Sequence, residues 1–307
     1  MKDVQNKVVV VTGGSSGIGR GIALAFARAG ALVTVTGRKE EHLAETEREF
    51  AAERLPVELA SVDVTDRDAM QRLAGEIDER RGGVDILINN AGLGLTGPVA
   101  TATAADWDWI VDVNVRGVGN GILAFLPQMR AHGRGGHIVN TASMGGLMPI
   151  VAGLYSMSKA AIIALSESMS IELAGDGIGV SAYCPGPVHS NIGSGAARRP
   201  SRYGESGYPT PDLSRPGFDK KQPYMSAREA GERVLQGVLR GDMFLLTHPE
   251  FKAGVVDRHR AIENAFPDEP ISEDRARAIP FLTDGRAYRT ESERPSPQHG
   301  VDVRGGA

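Results

Sequence analysis

The sequence predicts an α/β fold, a doubly wound parallel sheet of about seven strands with helices on both faces, in one domain carrying a lid insertion. Two observations carry that expectation. Short β-branched runs alternate with longer amphipathic stretches, which is the rhythm of repeated βαβ units. A glycine-rich turn, Gly13-Gly14-Ser15-Ser16-Gly17-Ile18-Gly19, also follows the first run directly and opens a helical pattern.

In chain order, strands are expected near 7–12, 32–36, 57–62, 84–89, 136–142 and 178–184, with helices near 17–29, 39–54, 66–80, 104–131 and 153–174. The first run, Lys7-Val8-Val9-Val10-Val11-Thr12, suits a parallel strand buried on both faces. Right-handed crossovers wind such units into a sheet whose ligands sit at the carboxyl ends of its strands. Asn191 to Pro223 then carries five Gly and five Pro with Tyr203 and Tyr208 and no clear period. A loop of that length is either a lid over a binding site or a surface insertion. Ser226-x-x-Glu229 reads as a capping box opening a helix to about Arg240, and Met243 to Thr247 as a seventh strand. Phe251, Val255, Val256 and Ile262 give an apolar face to a further helix over Pro249 to Phe266. The polar stretch from about Gly285 reads as a mobile tail. The expected division is a dinucleotide-binding catalytic domain over 1–266, with the lid at 191–223, and a C-terminal extension over 267–307.

A net charge of −4, from 34 basic and 38 acidic residues, gives no general attraction to nucleic acid or to an anionic membrane. Small-molecule partners are therefore expected. The single cysteine, Cys184, excludes an internal disulfide framework, and the first residues lack the apolar core of a signal peptide, so a cytoplasmic protein is expected. The seven histidines show no His-x-x-x-His spacing, and no metal is expected.

The glycine turn has the context of a dinucleotide-phosphate loop. Glycines let the backbone approach a pyrophosphate closely, and amides at a helix N-terminus face its charge. Tyr155-Ser156-Met157-Ser158-Lys159 places a phenol and an amine on one helical face. An ammonium held beside a phenol favours the phenolate, so Tyr155 is expected to titrate nearer its working pH. The spacing alone is also that of a packed ring beside a solvated lysine stem. Together with Asn89-Asn90-Ala91-Gly92 after the fourth strand, these motifs resemble the short-chain dehydrogenase/reductase family over roughly residues 5–265. That resemblance implies a Rossmann-like oxidoreductase and a set of roles. Ser143 would hydrogen-bond the substrate oxygen, Tyr155 would exchange the proton, Lys159 would bind the nicotinamide ribose, and Asn114 would hold a relay water. Gly13, Ser15, Ser16, Gly17, Ile18 and Gly19 would form the phosphate loop. Asn90, Ala91 and Gly92 would border the cofactor, and Pro185, Gly186, Val188 and Ser190 would run along the nicotinamide. Asp63 and Val64 would meet the adenine, although an aspartate before a helix also serves as an N-cap.

At the end of the second strand Gly37 stands where an NAD-type acidic residue would sit, and Arg38 follows. A guanidinium there suits a 2′-phosphate, although it could also be simply solvated. NADP(H) is the expected cofactor, with NAD(H) as the alternative. Asp108-Trp109-Ile110, Gly117-Val118-Gly119-Asn120-Gly121, Ser190-Asn191-Ile192, the run Arg199 to Tyr208 and Pro249-Glu250 further resemble the Cα-dehydrogenases of β-aryl-ether lignin breakdown. That likeness implies a bulky, aromatic secondary alcohol or its ketone and NAD-dependent oxidation, whereas Gly37-Arg38 points to NADPH and carbonyl reduction. Two further alternatives are a 3-oxoacyl-type ketoreductase, whose acidic carrier the cluster Arg198-Arg199-Arg202 would dock, and a non-catalytic dinucleotide-binding regulator. The family resemblance also implies a homodimer or homotetramer.

Overall fold

The computed structural model describes residues 1–194, 199–209, 222–283 and 285–288. Among the described residues seven parallel strands form one sheet: β1 (Val8–Val11), β2 (Leu32–Gly37), β3 (Glu58–Ser61), β4 (Ile86–Asn89), β5 (Gly136–Thr141), β6 (Ile178–Cys184) and β7 (Phe244–Leu246). Their order is β3-β2-β1-β4-β5-β6-β7, so the winding reverses between β1 and β4. A crevice forms at such a reversal, because the loops on its two sides run apart over opposite faces of the sheet.

Helices cover both faces. They are α1 (Gly17–Arg28), α2 (Glu40–Ala52), α3 (Arg67–Arg81), α4 (Ala104–Val111), α5 (Gly117–Ala131), α6 (Met144–Leu147), α7 (Gly153–Glu172), α8 (Ala227–Arg240), α9 (Lys252–Glu263) and α10 (Glu273–Ala278). The period-two geometry of a strand divides the core. Val9 and Val11 join Phe26 of α1, Phe50 of α2 and Val234 of α8 on one side. Val8 and Val10 join Ile77 of α3, Phe125 of α5 and Met169 of α7 on the other. α1 and α8 touch backbone to backbone, since a Cβ at Gly21 would collide with Ala227 O and one at Gly231 with Gly21 O.

The expected strands are present, with ends trimmed. The helical stretch near 104–131 is broken by a π-helical turn, Asp112–Arg116, that joins α4 to α5. Asp66 caps α3 by accepting from Ala69 N at 2.9 Å, so Asp63 is not that cap. Ser226 caps α8, accepting from Glu229 N at 3.1 Å, but Glu229 pairs with Arg233 instead of closing a capping box.

Two expectations need correction. The helix near 249–266 is a 3₁₀ turn, Pro249–Phe251, followed by α9, and α9 buries none of its residues among the described parts of the chain. The start of the expected tail is docked, as Tyr288 stacks on Phe244 and donates to Glu167 at 3.1 Å. The remainder of that tail, 289–307, lies outside the described residues, as do 195–198 and 210–221 of the expected lid. Among the described residues no helix is long and apolar enough to cross a membrane.

Candidate active site

A cleft of about 1250 Å³ opens along the carboxyl ends of the strands, at the reversal between β1 and β4. Of the expected site residues, Ser143, Tyr155 and Lys159 line it, with Gly13, Ser15, Ser16, Gly17, Ile18, Gly19, Arg38, Asp63, Val64, Asn90, Ala91, Gly92, Pro185, Gly186, Val188 and Ser190. Asn114 is buried behind it.

The loop between β1 and α1 fits an extended anion. Gly13 and Gly17 take positive φ, 63° and 52°. A Cβ at Gly13 would lie 2.8 Å from Ala91 Cα, so only glycine lets this turn rest against the strand-four loop. Asn90 braces the turn from below, its Nδ2 donating to Thr12 O at 3.1 Å and Gly13 O at 3.3 Å. The N-terminus of α1 has no side-chain cap and no acidic residue in its first turn. By contrast α3, α4, α8 and α10 are each capped by a side chain. Free amides at a helix start, with the dipole's positive end, are what a pyrophosphate requires.

At the end of β2, Gly37 leaves room that Ser15 Oγ fills, since a Cβ there would collide with that hydroxyl. Arg38 is exposed at the rim and pairs with Asp63 Oδ2 at 3.4 Å. Asp63 Oδ1 accepts from Thr65 N at 2.9 Å and Thr65 Oγ1 at 2.8 Å. Burial works to raise the Asp63 pKa, but these bonds, with Arg38 and Arg202, hold it below the usual carboxylate value. Arg202 reaches the same carboxylate at 3.8 Å from the loop beyond β6.

The proton-handling end lies between β5, α7 and the β6 exit. Ser143 caps α6 by accepting from Gly145 N at 3.0 Å and faces Tyr155 closely enough to favour its ionised form. Lys159 is 3% exposed and donates from Nζ to Thr141 O at 2.8 Å. Its Nζ stands 5.8 Å from the Tyr155 ring centre. Burial lowers the Lys159 pKa to about 8. Burial also raises the Tyr155 pKa, and the neighbouring Ser143 hydroxyl only partly opposes it. The expected depression of the tyrosine is therefore corrected: in the free protein desolvation outweighs the ammonium, which is bonded elsewhere. Asn114, in the π turn, accepts from Leu93 N at 2.8 Å and donates to Leu93 O and to Ser158 Oγ, each at 3.0 Å. Ser158 in turn donates to Tyr155 O at 2.8 Å, so the Asn114 side chain supports the start of α7.

Sequence reasoning missed the clamp on the loop beyond β6. Asp106 in α4 is fully buried and accepts from Arg199 Nη1 at 2.5 Å, Ser206 Oγ at 2.7 Å, Gly207 N at 2.9 Å and Thr103 N at 2.9 Å. Burial works to raise its pKa, yet these donors hold it far below the carboxylate range. Arg199 lies over Trp109, 5.1 Å from the ring centre, and is 7% exposed, so it is not part of an exposed docking cluster. Arg198 lies outside the described residues. Tyr203 and Tyr208 pack with Leu93, Trp109 and Leu154. Leu93 and Trp109 line the cleft and were also missed as site residues. Leu93 directly follows Asn89-Asn90-Ala91-Gly92, a signal that could have found it.

A family model described as short chain dehydrogenase matches residues 7–200. The chain belongs to the short-chain dehydrogenase family. It is 36% identical over 265 residues to the C alpha-dehydrogenase of Sphingobium sp. (strain NBRC 103272 / SYK-6), a match covering 85% of this chain and 87% of that protein. A short chain dehydrogenase/reductase from Burkholderia phymatum, solved in complex with NAD, superposes with a TM-score of 0.79 at 33% identity, covering 89% of this chain and all of that one. A metagenomic short-chain oxidoreductase in complex with NADP gives a TM-score of 0.57 at 36% identity, covering 60% of this chain and 83% of that one. As a member of this family, the chain is an NAD(P)-binding oxidoreductase acting on alcohols or ketones, related to the Cα-dehydrogenases.

Proposed function

We propose that this chain transfers a hydride between NADP(H) and a bulky aromatic secondary alcohol or its ketone, working as a carbonyl reductase. The observation that carries the reading is the meeting of Ser143, Tyr155 and Lys159 at one end of the cleft that the uncapped start of α1 also borders. The residues fit a bound dinucleotide. The amides of Gly17 to Gly19 would hold the pyrophosphate, Asp63 and Val64 the adenine, and Tyr155 and Lys159 the nicotinamide ribose. When bound, the nicotinamide supplies the hydride chemistry. The chain supplies orientation and a proton. Ser143 holds the substrate oxygen, and Tyr155 gives that oxygen its proton as the carbonyl carbon is reduced. A phenol kept protonated by burial is a ready donor in this direction. Lys159, protonated below about pH 8, donates to the ribose and to the proton path behind the tyrosine.

Two features favour NADP(H). Gly37 offers no carboxylate to a 2′-hydroxyl, having Ser15 Oγ beside it instead, and Arg38 stands exposed at the rim. The Arg38–Asp63 pair favours the second reading, NAD(H), because Asp63 already offsets that charge. The likeness to a C alpha-dehydrogenase, with Leu93 and Trp109 in the cleft wall, supports an aryl substrate. The volume of about 1250 Å³ exceeds the roughly 300–1,000 Å³ of ordinary ligand pockets, leaving space for a substrate beside a dinucleotide. The reading extends to a homodimer or homotetramer through α5 and α7, where Leu123 and Ile171 are exposed, and light scattering tests it.

The test is titration of the protein with NADPH and NADH, then turnover of aryl ketones and benzylic alcohols, for the parent and for Arg38→Ala. Tighter NADPH binding that falls at least about tenfold in the variant, with NADH unchanged, supports the assignment; tenfold is about 1.4 kcal/mol. Preference for NADH in the parent establishes the NAD reading instead. Binding without turnover of any substrate leaves a dinucleotide-binding regulator.

A further inference from the structure

We infer that His248 is a positioning residue that sets the nicotinamide-side segment Pro185–Ser190, through an imidazole protonated at Nε2 only. The inference rests on the dinucleotide reading of the cleft.

Pro185 and Pro187 have no N–H, so in Pro185-Gly186-Pro187 only Gly186 can donate. The Gly186 N–H goes to His248 Nδ1 at 3.1 Å. A backbone amide is only a donor, so Nδ1 must be the ring nitrogen without a proton. Thr247 Oγ1, 2.9 Å from the same nitrogen, is then a second donor to it. The proton lies on Nε2, which donates to Pro187 O at 3.1 Å. One side chain thus satisfies the donor of Gly186 and the acceptor of Pro187, gripping the segment on both sides of the peptide that joins these two residues.

The ring itself is held. It stacks on Phe251 with centres 5.6 Å apart and planes 25° apart. A Cβ at Gly186 would lie 2.6 Å from Phe251 Cε2 and 2.7 Å from His248 Cγ. The His248–Phe251 pair is therefore the surface on which Gly186 rests. The segment's other contacts lead to the chemistry and to the next helix. Pro185 O accepts from Met144 N at 2.9 Å, beside Ser143, and Val188 bridges to Met225 ahead of α8. Phe251 is 37% exposed and α9 beyond it buries none of its residues, so a general core role does not account for this arrangement. Its directional contacts point at Gly186 and Pro187, both of which line the cleft.

The test uses the full chain with His248→Phe, which keeps a ring on Phe251 and removes both bonds, and His248→Asn, which returns an acceptor close to the position of Nδ1. NADPH and its nicotinamide-free counterpart 2′-phospho-ADP-ribose are titrated against each protein, or NADH and ADP-ribose if the parent prefers NADH. The Phe variant is expected to lose at least fivefold in affinity for the whole dinucleotide and to keep parental affinity for the fragment, with kcat falling on any ketone the parent reduces. The Asn variant should recover part of the loss, and it serves alone if the Phe variant does not fold. Equal losses for dinucleotide and fragment would reduce His248 to a structural residue and overturn the inference, as would no loss in either variant. If the parent itself binds no dinucleotide, the reading of the cleft fails first.

Discussion

Replacing Lys159 by Met should make the protein more stable while abolishing turnover. The ammonium is 3% exposed, and burial brings its pKa from 10.5 to about 8. That difference of about 2.5 in pKa corresponds to roughly 3 kcal/mol, at 1.36 kcal/mol for each pH unit. The folded pKa lies below the unfolded one. Below about pH 8 both states hold the proton and the folded state carries the whole cost; between about 8 and 10.5 only the unfolded state holds it, and the cost is relieved. Methionine keeps the length of the side chain without the charge. It leaves Thr141 O without the Lys159 donor, a loss of about 1 kcal/mol, so the net gain at pH 7 is about 2 kcal/mol. Urea denaturation followed by tryptophan fluorescence measures this directly, at pH 7 and again near pH 10. A higher midpoint for the variant at pH 7 that converges on the parent near pH 10 is expected. A variant no more stable than the parent at pH 7, or a gap unchanged by pH, refutes the argument that desolvation dominates at this lysine.

Tyr155→Phe removes the proton donor while leaving the ring in place, and should reduce kcat by at least about 10²-fold while weakening dinucleotide binding by no more than the roughly 1 kcal/mol of one ribose hydrogen bond. Retention of near-normal turnover would exclude Tyr155 as the donor. Asp106→Asn leaves Arg199 buried without its counter-charge, and should destabilise the protein by about 3–5 kcal/mol in the same urea assay. The Asp106 pKa is held below its ordinary 3.8, so its contribution is complete above that pH and is lost as pH falls further. The stability difference between parent and D106N should therefore narrow on acidification. Gly13→Val meets both a left-handed φ of 63° and Ala91 at 2.8 Å, and should weaken dinucleotide binding at least about tenfold. Equal binding by that variant would show that the turn does not cradle the ligand.

What the sequence made legible was what repeats or lies close along the chain. The strand–helix alternation, the glycine turn after β1 and the four-residue step from Tyr155 to Lys159 are local signals, and each falls where local geometry predicts. The Asp106 clamp was not legible. Arg199 is 93 residues away and Gly207 101, and no periodicity connects such separations. Arg199 consequently read as one of a run of surface cations. The direction of the Tyr155 pKa was missed for a related reason: spacing places Lys159 on the same face, but how far both are desolvated depends on elements far away in the chain. The apolar spacing in α9 announced an amphipathic helix without saying which surface, if any, its chain provides to cover it.

The reversal of winding between β1 and β4 separates two tasks in space. Arg38 and Asp63 follow β2 and β3 on one side, whereas Ser143 follows β5 and Pro185 follows β6 on the other. β2 and β5 are three strand positions apart, about 14 Å at roughly 4.8 Å per step. That exceeds the 7–10 Å or so within which substitutions usually influence one another. Changes at the rim by Arg38 and changes beside Ser143 should therefore combine additively, so that the choice between dinucleotides can drift along a lineage without disturbing the proton chemistry. Modularity of this kind lets one sheet give rise to many enzymes.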